Sequence, residues 1–482
     1  MTELLLPAAW PQRFNMMAQN NLLLPLQNLI FRSDGEDLKQ SVSHLTKRPR
    51  WRVAMALALM LAGHAAMAKN EGPAPEVQVT PNYIVDFEFD WGRDGVDCPT
   101  CNHGSGNSRL AFTDHNYRLW VAPLDIKTGK FLPDNGKGTQ IDSHTAYATD
   151  FGNGPEWMFS AIAGSQLVYT RYLPDAPQSP DTAVLAIATQ NSDGAWLPAS
   201  FPGGEKRQSP IGTQDLEDLA PRIHYQDVAK RRTFWRDSEL TGDSETKLPT
   251  TGFSGGSRRW VPGTHKIILT ATGLEGTKGA GRQQVFLFDT DTAVLKQITD
   301  EDADHAGAMM WRAPEYHDEY VFFSVRNGRQ LVIHRKLKDE TGKKSWTSVI
   351  QLDLPPETPH LWSPEYFVFN GKSYIFYQMN QSANASDLSK PGVLAMSMIL
   401  PKKAKVIPLT PPDAEPRVRM DPEYFITAKG PYLYYNRYKL RTDTEDSQPE
   451  GVWRVDTRLG KPDPAWQAAS RRVKLEAPGE LD

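Results

Sequence analysis

A recurring motif constrains the fold more than any other feature of this sequence. It consists of a small residue, Pro, Glu and an aromatic residue, then a short strand, a turn and a Tyr/Phe-rich strand. The motif begins at Gly154, Ala313, Ser363 and Asp421, with weaker copies at Ala220 and Ser257. The spacings, roughly 40 to 65 residues, suit four-stranded propeller blades with variable loops. Because each blade must bury its faces against its neighbours, the repeat predicts one closed ring.

The sequence therefore predicts an all-β protein built as a single β-propeller of six or seven four-stranded blades. The predicted blade starts lie near residues 108, 155, 220, 257, 313, 363 and 421. We expect the propeller to span 82–475, with a C-terminal tail at 476–482, and the strand over 83–91 to close the ring on the last blade. A pair of β-sandwiches is the alternative, but sandwiches do not repeat a motif at the start of each unit.

Composition excludes several functional classes. The hydrophobic content of 39% is enough for a packed core and excludes wholesale disorder. The 54 Lys and Arg residues against 58 Asp and Glu residues argue against nucleic-acid binding, which needs a clustered basic surplus. Two cysteines are too few for a disulfide scaffold. No H-E-x-x-H motif occurs, so the sequence lacks that zinc-protease signature.

The segment 47–68, KRPRWRVAMALALMLAGHAAMA, has the pattern of a secretory signal. A basic stretch precedes an apolar stretch too short to span a bilayer, and a small-x-small site follows before Lys69. We expect an N-terminal extension with a signal peptide at 1–68, a Pro-rich linker at 69–81, and a mature chain without a membrane span. That chain would be periplasmic or secreted, and monomeric.

Two family resemblances accompany the repeat. Residues 282–336 resemble a blade of TolB-type propellers, with a D-x-x-T turn at 289–292, Ile298-Thr299, and a strand from Trp311 to Arg326. Residues 360–379 and 421–438 resemble blade starts of arabinanase- and xylosidase-type glycoside hydrolases. The first resemblance implies an exported propeller that binds a protein or envelope partner. The second implies a carbohydrate-active enzyme.

Five carboxylates are the candidate catalytic residues: Glu156, Glu315, Glu365, Asp421 and Glu423. The glutamates recur at the same point of their motifs, so they would face the channel together if that point opens the innermost strand. Glycosidic hydrolysis needs such paired carboxylates, one as acid and one as base or nucleophile. The alternative is structural, with each Glu binding backbone N–H groups of the next blade.

A second acidic set lies in the strand over 83–91, where Asp86, Glu88 and Asp90 share one face at the strand period of two. Three carboxylates in a row would suit Ca²⁺, the one cofactor that the sequence suggests. They would equally suit a solvated face that protects an edge strand. In the following loop, Cys98 and Cys101 form a C-x-x-C pair, for which we expect a local disulfide in an exported protein.

Four further residues are candidates for ligand contact: Arg222, Trp157, Trp362 and His144. Aromatic faces stack on sugar rings, and propeller faces are concave and ringed by loops, which suits binding. The first functional hypothesis is an exported propeller that binds a protein or envelope partner at its channel face. The alternative is a hydrolase or lyase that acts on an oligosaccharide through channel-facing carboxylates.

Overall fold

The computed structural model describes sixteen stretches of the chain: 72–80, 84–90, 109–114, 116–131, 138–143, 154–160, 162–172, 179–213, 220–227, 230, 232–239, 245–250, 258–338, 340–385, 387–400 and 403–466. Within them, 28 strands form seven antiparallel sheets of four strands each. The protein is a seven-bladed β-propeller, which confirms the all-β prediction and the larger of the two predicted blade numbers. No helix in these stretches is long and apolar enough to cross a membrane.

The first three blades follow the chain in order. Blade 1 contains β2 (Ile84–Phe89), β3 (Arg109–Asp114), β4 (Leu119–Pro123) and β5 (Thr139–Asp142). Blade 2 contains β6 (Glu156–Ser160), β7 (Gly164–Tyr172), β8 (Ala183–Gln190) and β9 (Trp196–Glu205). Blade 3 contains β10 (Gln208–Gly212), β11 (Arg222–Asp227), β12 (Arg232–Asp237) and β13 (Thr246–Lys247).

The remaining blades continue this order, and the last one takes a strand from the other end of the chain. Blade 4 contains β14 (Arg258–Trp260), β15 (Lys266–Thr272), β16 (Gln283–Asp289) and β17 (Val294–Gln297). Blade 5 contains β18 (His305–Ala313), β19 (Glu319–Arg326), β20 (Gln330–Lys338) and β21 (Lys344–Asp353), with a 3-10 helix at Pro314–Tyr316. Blade 6 contains β22 (His360–Phe369), β23 (Lys372–Asn380), β24 (Val393–Met398) and β25 (Lys405–Pro408). Blade 7 contains β26 (Val418–Thr427), β27 (Gly430–Tyr438), β28 (Pro449–Asp456) and β1 (Val77–Gln78).

The first strand of each blade lies at the centre of the ring. Each of these strands contacts the first strands of both neighbouring blades, so that the seven contacts close a circle. Side chains near the start of β2, β6, β14, β22 and β26 therefore approach one another across the channel, although they are far apart in sequence.

Between the blades lie seven apolar clusters, each of which joins two neighbouring sheets. The period of two along a strand directs alternate side chains to opposite interfaces. Along β23, Ile375 and Tyr377 pack toward blade 5, whereas Tyr374 and Phe376 pack toward blade 7. Middle strands such as β19 and β24 therefore have continuous apolar runs, because both of their faces are buried.

The ring closes at a place that the sequence-based prediction did not identify. Val77 pairs with Arg454 and Gln78 with Trp453, so β1, within the predicted linker, is the outer strand of blade 7. The strand predicted to close the ring is instead β2, the first strand of blade 1. The predicted starts near 108 and 220 fall at second strands, because the first strands of blades 1 and 3 lack the Pro-Glu-aromatic sequence.

Candidate functional site

A β-bulge with the same register occurs near the start of four of the central strands, β10, β18, β22 and β26. In each bulge the pairing advances by three residues along the first strand and by only two along its partner strand. The first residue of the bulge has a positive φ. That residue is Ser209, Gly307, Ser363 or Asp421. Such bulges bend the strand and redirect the next side chain.

The residue after the bulge differs between the four blades, and this difference shapes the site. It is Ile211 in blade 3 and Met309 in blade 5, but Glu365 in blade 6 and Glu423 in blade 7. Two of the repeated glutamates are therefore placed equivalently, at the point where each central strand resumes its pairing.

Six carboxylates from four blades converge in what we call the central cluster: Asp86 and Glu88 of blade 1, Glu156 of blade 2, Glu365 of blade 6, and Asp421 and Glu423 of blade 7. They interact electrostatically with one another. Asp86 accepts a hydrogen bond from the Phe87 backbone N–H at 2.9 Å, and its side chain is hydrogen-bonded to that of Asp421. Asp86 also explains the glycine of the motif at 154, because a Cβ there would lie 1.9 Å from Asp86 Oδ2.

Burial raises the pKa of five of these carboxylates: Asp86, Glu88, Glu156, Glu365 and Glu423. It raises the pKa of Glu156 and of Glu365 to about 7, although the charge of Arg259 acts in the opposite direction. Burial and neighbouring carboxylates also raise the pKa of Glu88 and of Glu423. Like charges held close together in a low dielectric cannot all ionise. The central cluster therefore retains protons near neutral pH and can release them when a positive charge arrives.

Two adjacent arginines of blade 4 complete the central cluster. The Arg259 guanidinium reaches Glu365 at 3.4 Å and interacts with Glu156 and Glu88. Arg258 is buried, donates to His224 Nδ1 at 3.1 Å and to the Ser209 carbonyl at 2.8 Å, and interacts with Glu156. Burial lowers the pKa of Arg258 to about 9. These arginines were not predicted from the sequence. The only sequence feature that indicated them is the pair of adjacent positive charges, Arg258-Arg259, directly before Trp260 in the weak copy of the motif that begins at Ser257.

Glu315 does not join the central cluster. It lies in the 3-10 helix that follows β18, at the opposite end of the strand from the bulge. Its carboxylate accepts hydrogen bonds from the Ser373 backbone N–H at 3.2 Å and from the Ser373 hydroxyl at 2.9 Å. The Pro-Glu-aromatic sequence at 314–316 is thus out of register with those of blades 6 and 7, and the placement of Glu315 matches the structural alternative.

The acidic set of β2 is divided by the structure. Asp86 and Glu88 join the central cluster, whereas Asp90 forms an ion pair with Arg109 at 2.6 Å. Among the residues described, no group of three or more His, Cys, Asp or Glu side chains has a geometry that would hold a metal ion. The three side chains predicted as calcium ligands are therefore not brought together. The strand is also not a solvated edge, because β2, although it is the first strand of its sheet, lies at the centre of the ring and contacts β6 and β26.

Two of the ligand-contact candidates are engaged by other blades. Arg109 lies 4.7 Å above the Trp157 ring, and the indole N–H of Trp157 donates to the Glu88 carbonyl at 3.0 Å. Arg222 pairs with Asp291 of the blade 4 turn at 2.7 Å. Both side chains therefore join neighbouring blades.

The other candidates have different placements. Trp362 directly precedes the bulge of β22, three residues before Glu365, and its indole N–H donates to Asn380 Oδ1 at 3.2 Å. His144, Cys98 and Cys101 lie outside the described residues.

Searches against protein families and against curated proteins find no match, so the two family resemblances stay predictions. Solved structures with similar folds are found at low identity. One is the structure of the Dos1 propeller, with 10% identity over 80% of this chain and 94% of that chain and a TM-score of 0.43. Another is the crystal structure of the Myceliophteria thermophila Cps50 (Swd1) β-propeller domain, with 9% identity over 79% of this chain and 99% of that chain and a TM-score of 0.44.

Proposed function

We propose that this protein is an exported propeller that binds a protein or envelope partner at the channel face of its ring. The observation that supports this function is the central cluster, where charged side chains of five blades meet at the middle of the ring. Burying like charges destabilises a fold, and proteins retain such groups chiefly where a ligand uses them. An apolar residue after the bulge, as in blades 3 and 5, would pack the centre without that cost.

Export is supported by the signal-like sequence over 47–68. Expression of the full chain in a bacterial host, followed by fractionation and N-terminal sequencing, tests this part of the proposal. We expect the exported form to begin at Lys69. A chain that stays in the cytoplasm with residues 47–68 attached would contradict export and would leave the binding proposal to be judged separately.

Partner binding can be tested by photo-crosslinking from two positions on the ring. One protein has p-benzoylphenylalanine in place of Trp362, on the central strand of blade 6 next to the bulge. The matched control has it in place of Val294, which is 56% exposed on the outer strand of blade 4. We expect a defined crosslinked product from the central position only. Equal products from both positions, or none from either in the native envelope, would refute binding at the channel face.

Carbohydrate cleavage is the second candidate, and the weak acidity of Glu156 and Glu365 supports it. A general acid works best when its pKa lies near the operating pH, and burial raises the pKa of both groups to about 7. Incubation with plant, algal and bacterial oligosaccharides, followed by measurement of new reducing ends or unsaturated products, tests this function. Activity that Glu365→Gln abolishes while the fold is retained would favour the enzyme over the binding protein.

A further inference from the structure

We propose that the central cluster binds a basic group of the partner, a lysine ammonium or an arginine guanidinium, and that Arg259 occupies this position in the free protein. This inference rests on the proposed binding function and specifies the chemistry of the partner. It starts from Arg259, because the cluster already surrounds one guanidinium, which belongs to the chain itself.

Two long contacts hold the Arg259 guanidinium, a hydrogen bond to the Arg258 carbonyl at 3.2 Å and the ion pair with Glu365. Its 3.4 Å separation from Glu365 exceeds the roughly 2.7–2.9 Å of a strong charge-assisted hydrogen bond. Its side chain also keeps 28% of its surface exposed, whereas that of Glu365 keeps 18%. Long contacts at a partly exposed site can be exchanged for better ones. Arg258 cannot move in the same way, because His224 and the Ser209 carbonyl hold its guanidinium.

Glu423 supplies an independent indication of a missing donor. It is 4% exposed and faces Glu365, Glu88 and Asp421. No described residue donates a hydrogen bond to its carboxylate or forms an ion pair with it. Buried carboxylates are normally hydrogen-bonded, since an unsatisfied one costs free energy. A ligand that brings N–H donors to this position would meet that need.

The spread of the carboxylates favours an organic cation over a metal ion. Calcium needs six to eight oxygens at about 2.3–2.6 Å, all directed at one point. The described residues contain no such grouping, and the carboxylates approach from four different blades. A guanidinium offers five donors in one plane, and an ammonium offers three, so either can contact carboxylates on several sides.

Fluorescence anisotropy with labelled tetra-arginine tests the inference on the purified full chain, and labelled tetra-citrulline serves as the neutral isostere. We expect tetra-arginine to bind at least about tenfold more tightly than tetra-citrulline, a difference of about 1.4 kcal/mol. The variant Glu156→Gln with Glu365→Gln should weaken tetra-arginine by about tenfold or more. Arg259→Met should tighten it by about tenfold, because the internal competitor is gone.

A charge-matched control separates the central cluster from general surface attraction. Asp302→Asn with Asp446→Asn also removes two negative charges, from side chains that are 82% and 72% exposed. This control should bind tetra-arginine as the parent does. Thermal unfolding of every variant confirms that it is folded.

Several results would overturn the inference. Equal binding of the two peptides, or equal loss in the control, would show nonspecific attraction. Loss of binding in folded Arg259→Met would mean that Arg259 contacts the ligand directly, and displacement of the peptide by calcium chloride but not choline chloride would indicate a metal site. If the double glutamine variant still crosslinks to its partner through position 362, the inference fails while the binding function stands. Absence of any crosslink in the parent protein refutes the function itself.

Discussion

Replacing Glu76 by Gln should destabilise the propeller more than any exposed charge change, because Glu76 holds the ring closed. It lies directly before β1, and its side chain is 7% exposed. The carboxylate pairs with Arg419 in two places, at 2.5 Å to Nε and 2.8 Å to Nη2, and lies 3.5 Å from Arg437. It also accepts a hydrogen bond from the Tyr435 hydroxyl. Burial alone would raise the pKa of Glu76, but its bonds to Arg419 and Tyr435 hold that pKa below its ordinary value.

The size of the effect follows from what Glu76→Gln leaves behind. Arg437 keeps Glu450 at 2.7 Å, whereas Arg419, which is 1% exposed, retains backbone carbonyls and the Tyr435 hydroxyl but no carboxylate among the described residues. Leaving one partner of a buried ion pair uncompensated costs about 3–5 kcal/mol. We therefore expect the free energy of unfolding, measured by urea denaturation, to fall by about that amount.

Two further variants make this prediction specific. Asp181→Asn breaks an exposed pair with Lys206, in which the two side chains are 73% and 55% exposed, and should cost less than about 1 kcal/mol. Combining Glu76→Gln with Arg419→Met should restore part of the loss, because the buried charge is removed as well. If Glu76→Gln costs no more than Asp181→Asn, ring closure does not depend on this ion pair and the reasoning is wrong.

Three other outcomes follow from the site. Gly154→Ala places a methyl group against Asp86 and should lower the free energy of unfolding by about 1–3 kcal/mol in urea denaturation; unchanged stability would contradict the close approach. The pKa values of Glu156 and Glu365, about 7 in the folded state against an ordinary 4.5, mean that the folded protein binds more protons than the unfolded chain between those limits. Their contribution to stability therefore decreases as pH rises through this window. The thermal unfolding temperature should fall less between pH 5 and 8 in the variant Glu156→Gln with Glu365→Gln than in the parent protein. Glu315→Gln should lower thermal stability without changing tetra-arginine affinity, and a lost affinity in a folded Glu315→Gln protein would place this residue in the site after all.

Among the predicted site residues, the sequence distinguished poorly between glutamates that occur in similar motifs. Glu315 and Glu365 both follow a proline and precede a tyrosine, yet only Glu365 follows the bulge of a central strand. Which one reaches the channel depends on the pairing register, and register is set by the partner strand and the neighbouring blades. The local motif contains no information on that pairing.

What the sequence determined by itself was the local part of the structure. Runs of β-branched and aromatic residues between turn residues predict strands, and their repetition predicts a ring of blades, because each apolar sheet face needs a neighbour. Only the tertiary structure decided which side chains meet. Glu88 and Glu365 come together with Arg259 because ring closure brings the first strands of blades 1, 4 and 6 to one centre. The two-residue strand at Val77–Gln78 becomes part of blade 7 because the outer edge of β28 is free to pair with it. Both outcomes depend on contacts between distant parts of the chain, which no local pattern encodes.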